Sequence, residues 1–332
     1  MKIGFDMMGT DSAPKVEIET LKLLHKEPIP DTEILCVGKG ETEAEISAFG
    51  HEFVMADEVV GMHEMPSVVV KQKKNSSIGI LCRLLKEGKI DALVSAGNTG
   101  AVFAFSMFEL GRIEGIDKPA LGVTFPSETG FSFMLDVGSN IHLRPINYIQ
   151  YGILGSIYSE KVLAKTRPRV ALLNIGEESV KGHENIQKAY TGLKATNLNF
   201  IGNIEGNDIM KGFADVIVCD GFVGNIVIKF AEGMVDVLKK MLKDDVDLAV
   251  RRRLGVALVR PALENLKRRM SYEEHGGGIL LGLAGVVIIS HGRSSPEALR
   301  NALRLAHSCV KNGITEEIRR SFAQISGSEA KS

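Results

Sequence analysis

The chain has 332 residues, of which 44% are hydrophobic, and a formal net charge of -1. This length and composition predict a globular protein that can bury a large core. No apolar stretch of about 18 residues is present, and the start MKIGFDMM lacks the zones of a signal peptide, which predicts a cytoplasmic protein. The four cysteines are widely spaced and form no CxxC pair, which argues against disulfides and structural zinc.

Short apolar runs alternate along the chain with segments of helical spacing. The runs predict strands at 2–8, 33–38, 52–57, 91–96, 120–125, 133–137, 169–175, 200–204, 216–220 and 285–290. The other segments predict helices at 14–25, 66–88, 99–112, 145–165, 181–194 and 296–312. This alternation indicates an α/β fold with a doubly wound, mostly parallel sheet. We expect one catalytic unit over residues 1–325, either a single body or two lobes around a cleft, followed by a flexible tail at 326–332.

Five of the apolar runs break into loops rich in Gly, Asn, Asp and Thr. These loops are FDMMGTD, VSAGNTG, MLDVGSN, LLNIGEE and VIVCDGFVGN, at 5–11, 94–100, 134–140, 172–178 and 216–225. In parallel α/β sheets, ligands bind outside the carboxyl ends of the strands. The sequence therefore predicts that the five loops share one site.

Three of these loops carry residues suited to binding an anion. In SAGNTGA, unpaired N–H groups at a helix start favour an anion, although a plain turn capped by Thr99 explains the same pattern. In DGFVGN, Gly221 and Gly224 allow close backbone approach and Asn225 begins a helix. Lys181 follows the strand at 169–175 and offers a mobile positive charge that could hold phosphate. The alternative interpretation is an ordinary solvated surface lysine.

The segment 225–270 interrupts the alternation with a long helical excursion, and a second helix is expected at 256–270. Between residues 239 and 270, ten Lys and Arg face four acids, an excess of +6 that leaves -7 for the remainder. This pattern fits a solvated face, a dimer element or a docking surface for an acidic partner. A basic and apolar tip also suits anionic lipid headgroups, whereas the lack of interleaved aromatics disfavours nucleic acid. The residues of this tip are Arg251, Arg252, Arg253, Leu254, Leu258, Val259 and Arg260.

Three other patterns fail to define a site. The GKGE turn at 38–41 imitates a dinucleotide fingerprint, but Glu43 occupies the place where a small residue is needed. Cys219 could accept an acyl group, yet no histidine lies near it in sequence, which favours a buried strand cysteine. The histidines form no HExxH or HxH set, and we expect no metal.

Long motifs, taken in order, resemble the PlsX family, the phosphate acyltransferases of bacterial phospholipid synthesis. The resemblance covers nearly the whole chain. The matching motifs are DMMGTDSAP (6–14), KKNSS (73–77), SAGNTGA (95–101), GRIEGIDKPAL (111–121), LDVGSN, LLNIGEE with Lys181 and Gly182, FIGNIEGNDI (200–209), DVIVCDGFVGN (215–225), GGGILLG (276–282) and HGRSS (291–295).

This resemblance implies transfer of a long-chain acyl group from acyl carrier protein to inorganic phosphate, without metal or cofactor. It further implies a homodimer, a peripheral contact with anionic membrane through the helical pair at 225–270, and a three-layer fold similar to phosphotransacetylases and isopropylmalate-type dehydrogenases. Contact with a membrane glycerol-3-phosphate acyltransferase is left open. Family residues matching Lys181 and Asn225 lie at the acyl-transfer site. The other residues expected to bind substrate are Asp6, Gly9, Asp11, Gly97, Asn98, Thr99, Gly100, Asn140, Asn174, Asp220, Gly221 and Gly224.

Three residues depart from the family pattern: Thr10 replaces a second glycine, Lys71 replaces an arginine, and Arg293 is inserted into the HGSS motif. Thr10 matters most, because it adds a Cβ atom in a tight loop. The main alternative function is a phosphotransacetylase-type enzyme acting on acyl-CoA. An NAD-dependent decarboxylating dehydrogenase would need an aspartate cluster that the sequence lacks, and a membrane scaffold without activity is the remaining alternative.

Overall fold

The computed structural model describes residues 1–247, 259, 261–262 and 276–329. Within them, eleven strands form a single sheet. The strands are β1 (Lys2–Asp6), β2 (Glu33–Gly38), β3 (Glu52–Met55), β4 (Ala92–Ser95), β5 (Ala120–Ser127), β6 (Gly130–Leu135), β7 (Arg169–Leu173), β8 (Asn199–Ile204), β9 (Val216–Val218), β10 (Gly278–Leu281) and β11 (Val286–Ile289). The helices are α1 (Lys15–Lys26), α2 (Glu43–Ala48), α3 (Pro66–Gln72), α4 (Ser77–Lys86), α5 (Thr99–Glu109), α6 (Pro145–Lys161), α7 (Glu184–Lys194), α8 (Gly221–Asp247), α9 (Pro296–Lys311) and α10 (Ile314–Glu329).

The strand order is β3-β2-β1-β4-β11-β10-β5-β6-β9-β7-β8. Strands β3, β2, β1, β4 and β11 run parallel to one another, as do β6, β9, β7 and β8. The two parallel groups are joined through antiparallel pairs of β10 with β11, β10 with β5, and β5 with β6. The predicted α/β fold with a mostly parallel sheet is confirmed, and the two groups run in opposite directions.

Helices cover both faces of the sheet, so the protein has three layers. Successive strand residues point to opposite faces. In β4, for example, Ala92 and Val94 enter one buried apolar cluster and Leu93 enters the other. The first cluster also buries three tyrosines of α6, of which Tyr158 stacks on Phe133 of β6 with ring centroids 4.0 Å apart. Burial on both faces explains why the strands read as continuous apolar runs.

All ten predicted strands are present, whereas β10, α2 and α10 were not predicted. The predicted helix 66–88 is wrong as a single element, because the chain breaks between α3 and α4. At this break the Ser76 hydroxyl caps α4 by accepting a hydrogen bond from the Gly79 N–H. Helix α10 continues to Glu329, inside the segment predicted as a tail.

Helix α8 is 27 residues long and forms the first part of the predicted excursion. The second predicted helix, 256–270, lies outside the described residues except for 259, 261 and 262. The predicted tip residues outside the description are Arg251, Arg252, Arg253, Leu254, Leu258 and Arg260. Val259 is described and exposed. No helix in the described part of the chain is both long and apolar enough to cross a bilayer.

Phe133→Ala should lower the free energy of unfolding by about 3–5 kcal/mol, because it leaves a cavity against Tyr158 in a fully buried layer. Chemical denaturation measures this loss. Phe108→Ala on α5 is the matched control, since that ring is 65% exposed and should change stability by less than about 0.5 kcal/mol. Equal losses in the two variants would contradict the assignment of the core.

Candidate active site

The five predicted loops, together with the loop at 290–294, form two groups. The first-half loops, 6–11, 95–100 and 290–294, follow β1, β4 and β11, and the second-half loops, 136–140, 174–182 and 219–225, follow β6, β7 and β9. Because the two groups of strands run in opposite directions, these loops leave opposite edges of the sheet. The five predicted loops therefore do not leave one edge of the sheet, because strand direction is not encoded in the apolar pattern, and their sharing of one site stays a prediction.

The buried carboxylate of Asp6 connects two of the first-half loops through hydrogen bonds. It is 1% exposed, and its carboxylate accepts hydrogen bonds from the Ser95 hydroxyl at 2.6 Å and the Met8 N–H at 3.0 Å. The Ser95 hydroxyl in turn accepts a hydrogen bond from the Gly97 N–H at 3.0 Å. Burial raises the pKa of Asp6. Asp6 therefore connects the loops after β1 and β4 rather than facing solvent.

The loop after β1 packs closely against its neighbours. A Cβ atom on Gly9 would lie 2.7 Å from the backbone nitrogen of Ala96, so only glycine fits. Asp11 is exposed and its N–H donates to the Gly292 carbonyl at 2.8 Å, with Arg293 4.0 Å from its carboxylate. The inserted Arg293 therefore lies beside the site loops.

Thr10 is accommodated without strain, because its φ is not among the positive values of the chain. Its N–H donates to the buried Glu17 carboxylate at 2.9 Å, so α1 holds the loop. The Thr10 hydroxyl and the second Glu17 oxygen are both buried without a hydrogen bond of good geometry. Burial raises the pKa of Glu17 to about 7.

Asn98 fixes the loop after β4. Its side-chain oxygen accepts from the Ala101 N–H and its NH₂ group donates to the Gly61, Met62 and Glu64 carbonyls. Asn98, rather than Thr99, is therefore the N-cap of α5, and its polar atoms are engaged within the protein. Thr99 is exposed, and a Cβ atom on Gly100 would lie 2.7 Å from Pro66.

Asp136 organises the second-half loops. It is fully buried and its carboxylate accepts four hydrogen bonds, from the Gly138 and Ser139 N–H groups and from the backbone and side chain of Asn140. Burial raises the pKa of Asp136, although these donors favour its charged form. Asn140 also donates to the Pro119 carbonyl at 2.8 Å. Asn140 is thus a structural residue of the loop.

The loop after β9 packs directly on this turn. The Gly221 N–H donates to the Asn140 carbonyl at 2.8 Å, and a Cβ atom on Gly224 would lie 2.0 Å from the Asp136 carbonyl oxygen. Asp220 caps α8 by accepting hydrogen bonds from two backbone N–H groups. Both predicted glycine positions are therefore needed for the close approach of the two loops.

Cys219 is buried in the same turn, and its thiol donates to the Asp136 carbonyl at 3.1 Å. Burial raises the pKa of the thiol well above its usual value. A thiolate nucleophile is therefore absent at neutral pH, which agrees with the expected buried strand cysteine.

Asn174 shapes the loop that carries Lys181. Its side chain donates to the Lys181 carbonyl at 3.1 Å and accepts from the Ile175 N–H at 2.8 Å. The Lys181 side chain passes over Gly176, where a Cβ atom would lie 2.9 Å from its Cγ atom. Gly182 has φ of +82°, which lets the chain turn into α7.

Lys181 and Asn225 are exposed polar side chains that these loops leave open, as are Glu177, Glu178 and Ser179. Within the described residues, no ion pair or hydrogen bond engages the Lys181 ammonium or the Asn225 amide. Asn225 lies beside the turn of Asp136, since its Cβ is 3.8 Å from the ideal Cβ position of Gly138. Lys181 follows β7 and Asn225 follows the adjacent strand β9, so the two belong to one edge.

Sequence reasoning missed three residues that build the site: Asp136, Ser95 and Glu17. Each is buried and polar, and each hydrogen-bonds a loop backbone or an anchoring carboxylate. For Ser95 and Asp136 the available signal was a hydroxyl or acid at or directly after the end of an apolar strand, as in LDVGSN, whereas Glu17 lies on α1 and carried no such signal. Over the ranges that the structure describes, no group of three or more His, Cys, Asp or Glu side chains could hold a metal ion.

Comparison with solved structures defines the class of fold. A phosphotransacetylase from Streptococcus pyogenes aligns with a TM-score of 0.60 at 17% identity, covering 93% of this chain and 94% of that chain. A branched-chain phosphotransacylase from Enterococcus faecalis V583 aligns with a TM-score of 0.60 at 13% identity, covering 93% and 99%. The chain therefore has the fold of phosphotransacetylases.

Sequence comparison gives the family. The family model described as fatty acid synthesis protein matches residues 1–317. The phosphate acyltransferase of Heliobacterium modesticaldum is 46% identical over 329 residues, covering 96% of each chain. That of Pelotomaculum thermopropionicum is 43% identical over 329 residues, covering 98% of this chain and 96% of its own. The chain belongs to this family, as the sequence motifs predicted, and its enzyme class is acyltransferase.

Gly224→Ala should disrupt the turn beneath Asn225, because the added methyl group meets the Asp136 carbonyl. We expect a loss of stability of about 1–3 kcal/mol and a matching loss of activity. Thermal unfolding and an acyl-transfer assay measure the two effects. Gly206→Ala is the matched control, since nothing lies within 4 Å of its added atom. Unchanged activity in Gly224→Ala would contradict the packing of the two loops.

Proposed function

We propose that this chain transfers a long-chain acyl group from acyl carrier protein to inorganic phosphate, giving acyl phosphate and free carrier. Family membership and the name of its relatives support acyl transfer to phosphate. The assignment of Lys181 and Asn225 rests on a contrast in the second-half loops between polar side chains that hydrogen-bond within the protein and polar side chains that are exposed. Asp136, Asn140, Asn174 and Asp220 are engaged in holding the loops, whereas Lys181 and Asn225 are exposed. Glu177 and Glu178 are exposed as well, but a carboxylate repels phosphate, which leaves Lys181 and Asn225 as the side chains suited to it.

The reaction needs little from the protein beyond positioning and charge. A phosphate oxygen attacks the thioester carbonyl carbon, and the carbonyl oxygen becomes an oxyanion. Collapse of this intermediate breaks the carbon–sulfur bond, and the proton of the phosphate passes to the departing thiolate. Phosphate is already a nucleophile and a thioester an activated donor, so no enzyme nucleophile is required.

Lys181 and Asn225 supply a fixed cation for the phosphate and a fixed hydrogen-bond donor for the oxyanion. The Lys181 ammonium binds and orients phosphate, which otherwise would be repelled by the developing negative charge. The Asn225 amide donates to the oxyanion, together with backbone N–H groups near Gly221 and Gly224. The rigid turn built on Asp136 lies under Asn225 and limits its movement.

The basic excess in the segment 239–270 supports acyl carrier protein as the donor. Carrier proteins of this kind are acidic, and a local excess of +6 would steer them toward the enzyme. We further propose that the chain is a homodimer and attaches to anionic membrane through the tip at 251–260. Delivery of acyl phosphate at the membrane surface would then bring it to the lipid-synthesis step that consumes it.

Lys181→Ala and Asn225→Ala should each lower the rate of acyl phosphate formation about 10²- to 10³-fold, because each removes one transition-state contact. The assay follows acyl phosphate from purified acyl carrier protein and phosphate, with acyl-CoA as the competing donor. Lys188→Ala is the matched control, since its ammonium pairs with Glu184 on α7.

Circular dichroism checks that each variant remains folded. Wild-type rates in folded Lys181→Ala protein would refute its assignment. Faster turnover of acyl-CoA than of acyl carrier protein would favour the phosphotransacetylase-type alternative.

Raising the salt concentration from about 50 to 500 mM should increase KM for acyl carrier protein with little change in kcat, because salt screens the steering charge. Replacing Arg251, Arg252 and Arg253 by Gln should raise KM at low salt and flatten this dependence. The control replaces Lys39, Lys86 and Lys89, which are exposed elsewhere, by Gln. A salt dependence identical in both triple variants would assign the basic segment another role.

A further inference from the structure

The loop at 112–117 encloses an open cleft of about 450 Å³ at the same edge of the sheet as the second-half loops. This loop leads into β5, which runs antiparallel to β6, so the start of β5 lies beside the turn of Asp136. The Asn140 side chain joins the two by donating to the Pro119 carbonyl at 2.8 Å. The transfer steps assigned to Lys181 and Asn225 make no use of this loop or of its motif, GRIEGIDKPAL.

Buried side chains hold the cleft loop in one conformation. Ile113 and Ile116 are buried in the core. Gln150 of α6 is 7% exposed, and its side chain accepts a hydrogen bond from the Asp117 N–H at 2.9 Å and donates to the Gly115 carbonyl at 2.8 Å. The exposed side chains of the loop are therefore carried by a fixed backbone, as the side chains of binding loops are.

Three cations gather around one acid at this cleft. The Arg144 guanidinium lies 2.7 Å from the Asp117 carboxylate, and that of Arg112 lies 3.9 Å from it. The hydrogen bond from Arg144 lowers the pKa of Asp117, so this acid stays charged and neutralises one cation. The Lys118 ammonium donates to the His142 carbonyl at 2.8 Å. Because a guanidinium has five N–H groups and an ammonium three, most of these donors remain for a ligand.

The charge and the donors at the cleft favour a phosphate group. Even with the exposed Glu114 counted, three cations face two acids, an excess of one positive charge. Planar guanidinium groups match the oxygens of phosphate better than those of a neutral ligand.

The width of the sheet separates this cleft from the reacting groups. Strand β5 lies two strand positions from β9 and three from β7, the strands that precede Asn225 and Lys181. These positions correspond to about 10 Å and 14 Å across the sheet. Reacting atoms lie about 3–3.5 Å apart, so a phosphate held in the cleft takes no part in acyl transfer. The cleft therefore suits a part of the substrate that is remote from the thioester.

Thioester donors of both kinds considered for this chain have such a part. In acyl carrier protein and in CoA, the thioester lies at one end of a pantetheine arm and a phosphate lies at the other. The arm is about as long as five extended residues, or about 17 Å. A thioester placed at Lys181 and Asn225 therefore lets the phosphate reach the cleft.

We propose that the cleft of Arg112, Lys118 and Arg144 binds the phosphate of the donor's phosphopantetheine arm while the thioester lies at Lys181 and Asn225. The proposal rests on the proposed function. Binding at the cleft orients the arm along the edge of the sheet. Because this contact is the same before and during the reaction, it lowers KM and leaves kcat to the groups at the thioester.

Donors with and without the phosphate test this site. Acyl-pantetheine, acyl-phosphopantetheine, acyl-CoA and acyl carrier protein, all with one acyl chain, are compared by the acyl phosphate they give. Wild-type enzyme should show a kcat/KM at least about 10-fold higher for acyl-phosphopantetheine than for acyl-pantetheine, mainly through KM, because the phosphate makes charge-assisted hydrogen bonds. Equal use of these two donors by active enzyme would overturn the phosphate site alone. No acyl phosphate from any donor would refute the proposed function and the site with it.

Replacing Arg112 and Lys118 by Gln should bring this preference for the phosphorylated donor down to less than about twofold, since the main donors to the phosphate are gone. The matched control replaces Lys26 and Lys39 by Gln, which removes the same charge beside β2, five strand positions from β5, and should keep the preference. Circular dichroism checks the fold of both proteins. A preference retained in the first variant, or lost in both, would overturn the site. A loss confined to acyl carrier protein would also overturn it, because CoA carries the same phosphate.

Glu114→Gln tests the site through a gain, which a damaged fold does not produce. This substitution removes an exposed acid from the cleft and leaves the buried contacts of the loop in place. We expect the preference for acyl-phosphopantetheine over acyl-pantetheine to rise about two- to threefold, because a repelling charge is lost. An unchanged or smaller preference in the folded variant would contradict phosphate binding at this cleft.

Discussion

The reversal of strand direction at the centre of the sheet determines where every functional loop lies. Three successive antiparallel pairs, β11 with β10, β10 with β5 and β5 with β6, separate the two parallel groups, so the strands of the two groups end at opposite edges. At this reversal β5 packs closely on β6, since a Cβ atom on Gly122 would lie 2.1 Å from the Phe133 ring. That ring in turn stacks on Tyr158. The strands at which the direction reverses thus also contribute to the core.

On each edge, one buried carboxylate converts a strand end into a rigid loop. Asp6 and Asp136 occupy the last position of β1 and the position after β6, and each accepts hydrogen bonds from the turn that follows. Burial of these groups is costly unless their oxygens are fully bonded. The loops satisfy this need with their own N–H groups, which fixes the backbone. The same loops thereby leave Lys181 and Asn225 open.

The sequence predicted the elements well and their arrangement less well. Buried strands were readable from apolar runs, yet β10 was missed because GGGILLG has only three apolar residues after three glycines. The break between α3 and α4 was missed because the cap at Ser76 interrupts a helical pattern that continues on both sides. Lys181 and Asn225 were proposed from the residue pattern of the loops and the family resemblance, and their roles stay predictions. The direction of each strand depends on how the chain crosses between distant strands, and no local pattern reports it.

The chemistry assigned to the site needs only two side chains from the second-half loops. A thioester and a phosphate react without a protein nucleophile, so the enzyme needs a cation for the phosphate and a donor for the oxyanion. Cys219, the one residue of these loops with a nucleophilic sulfur, is buried, hydrogen-bonded and held neutral. A covalent acyl-enzyme would therefore require the turn on Asp136 to open, which would also displace Asn225. Direct transfer keeps the turn closed, and this makes the rigidity of the loops compatible with catalysis.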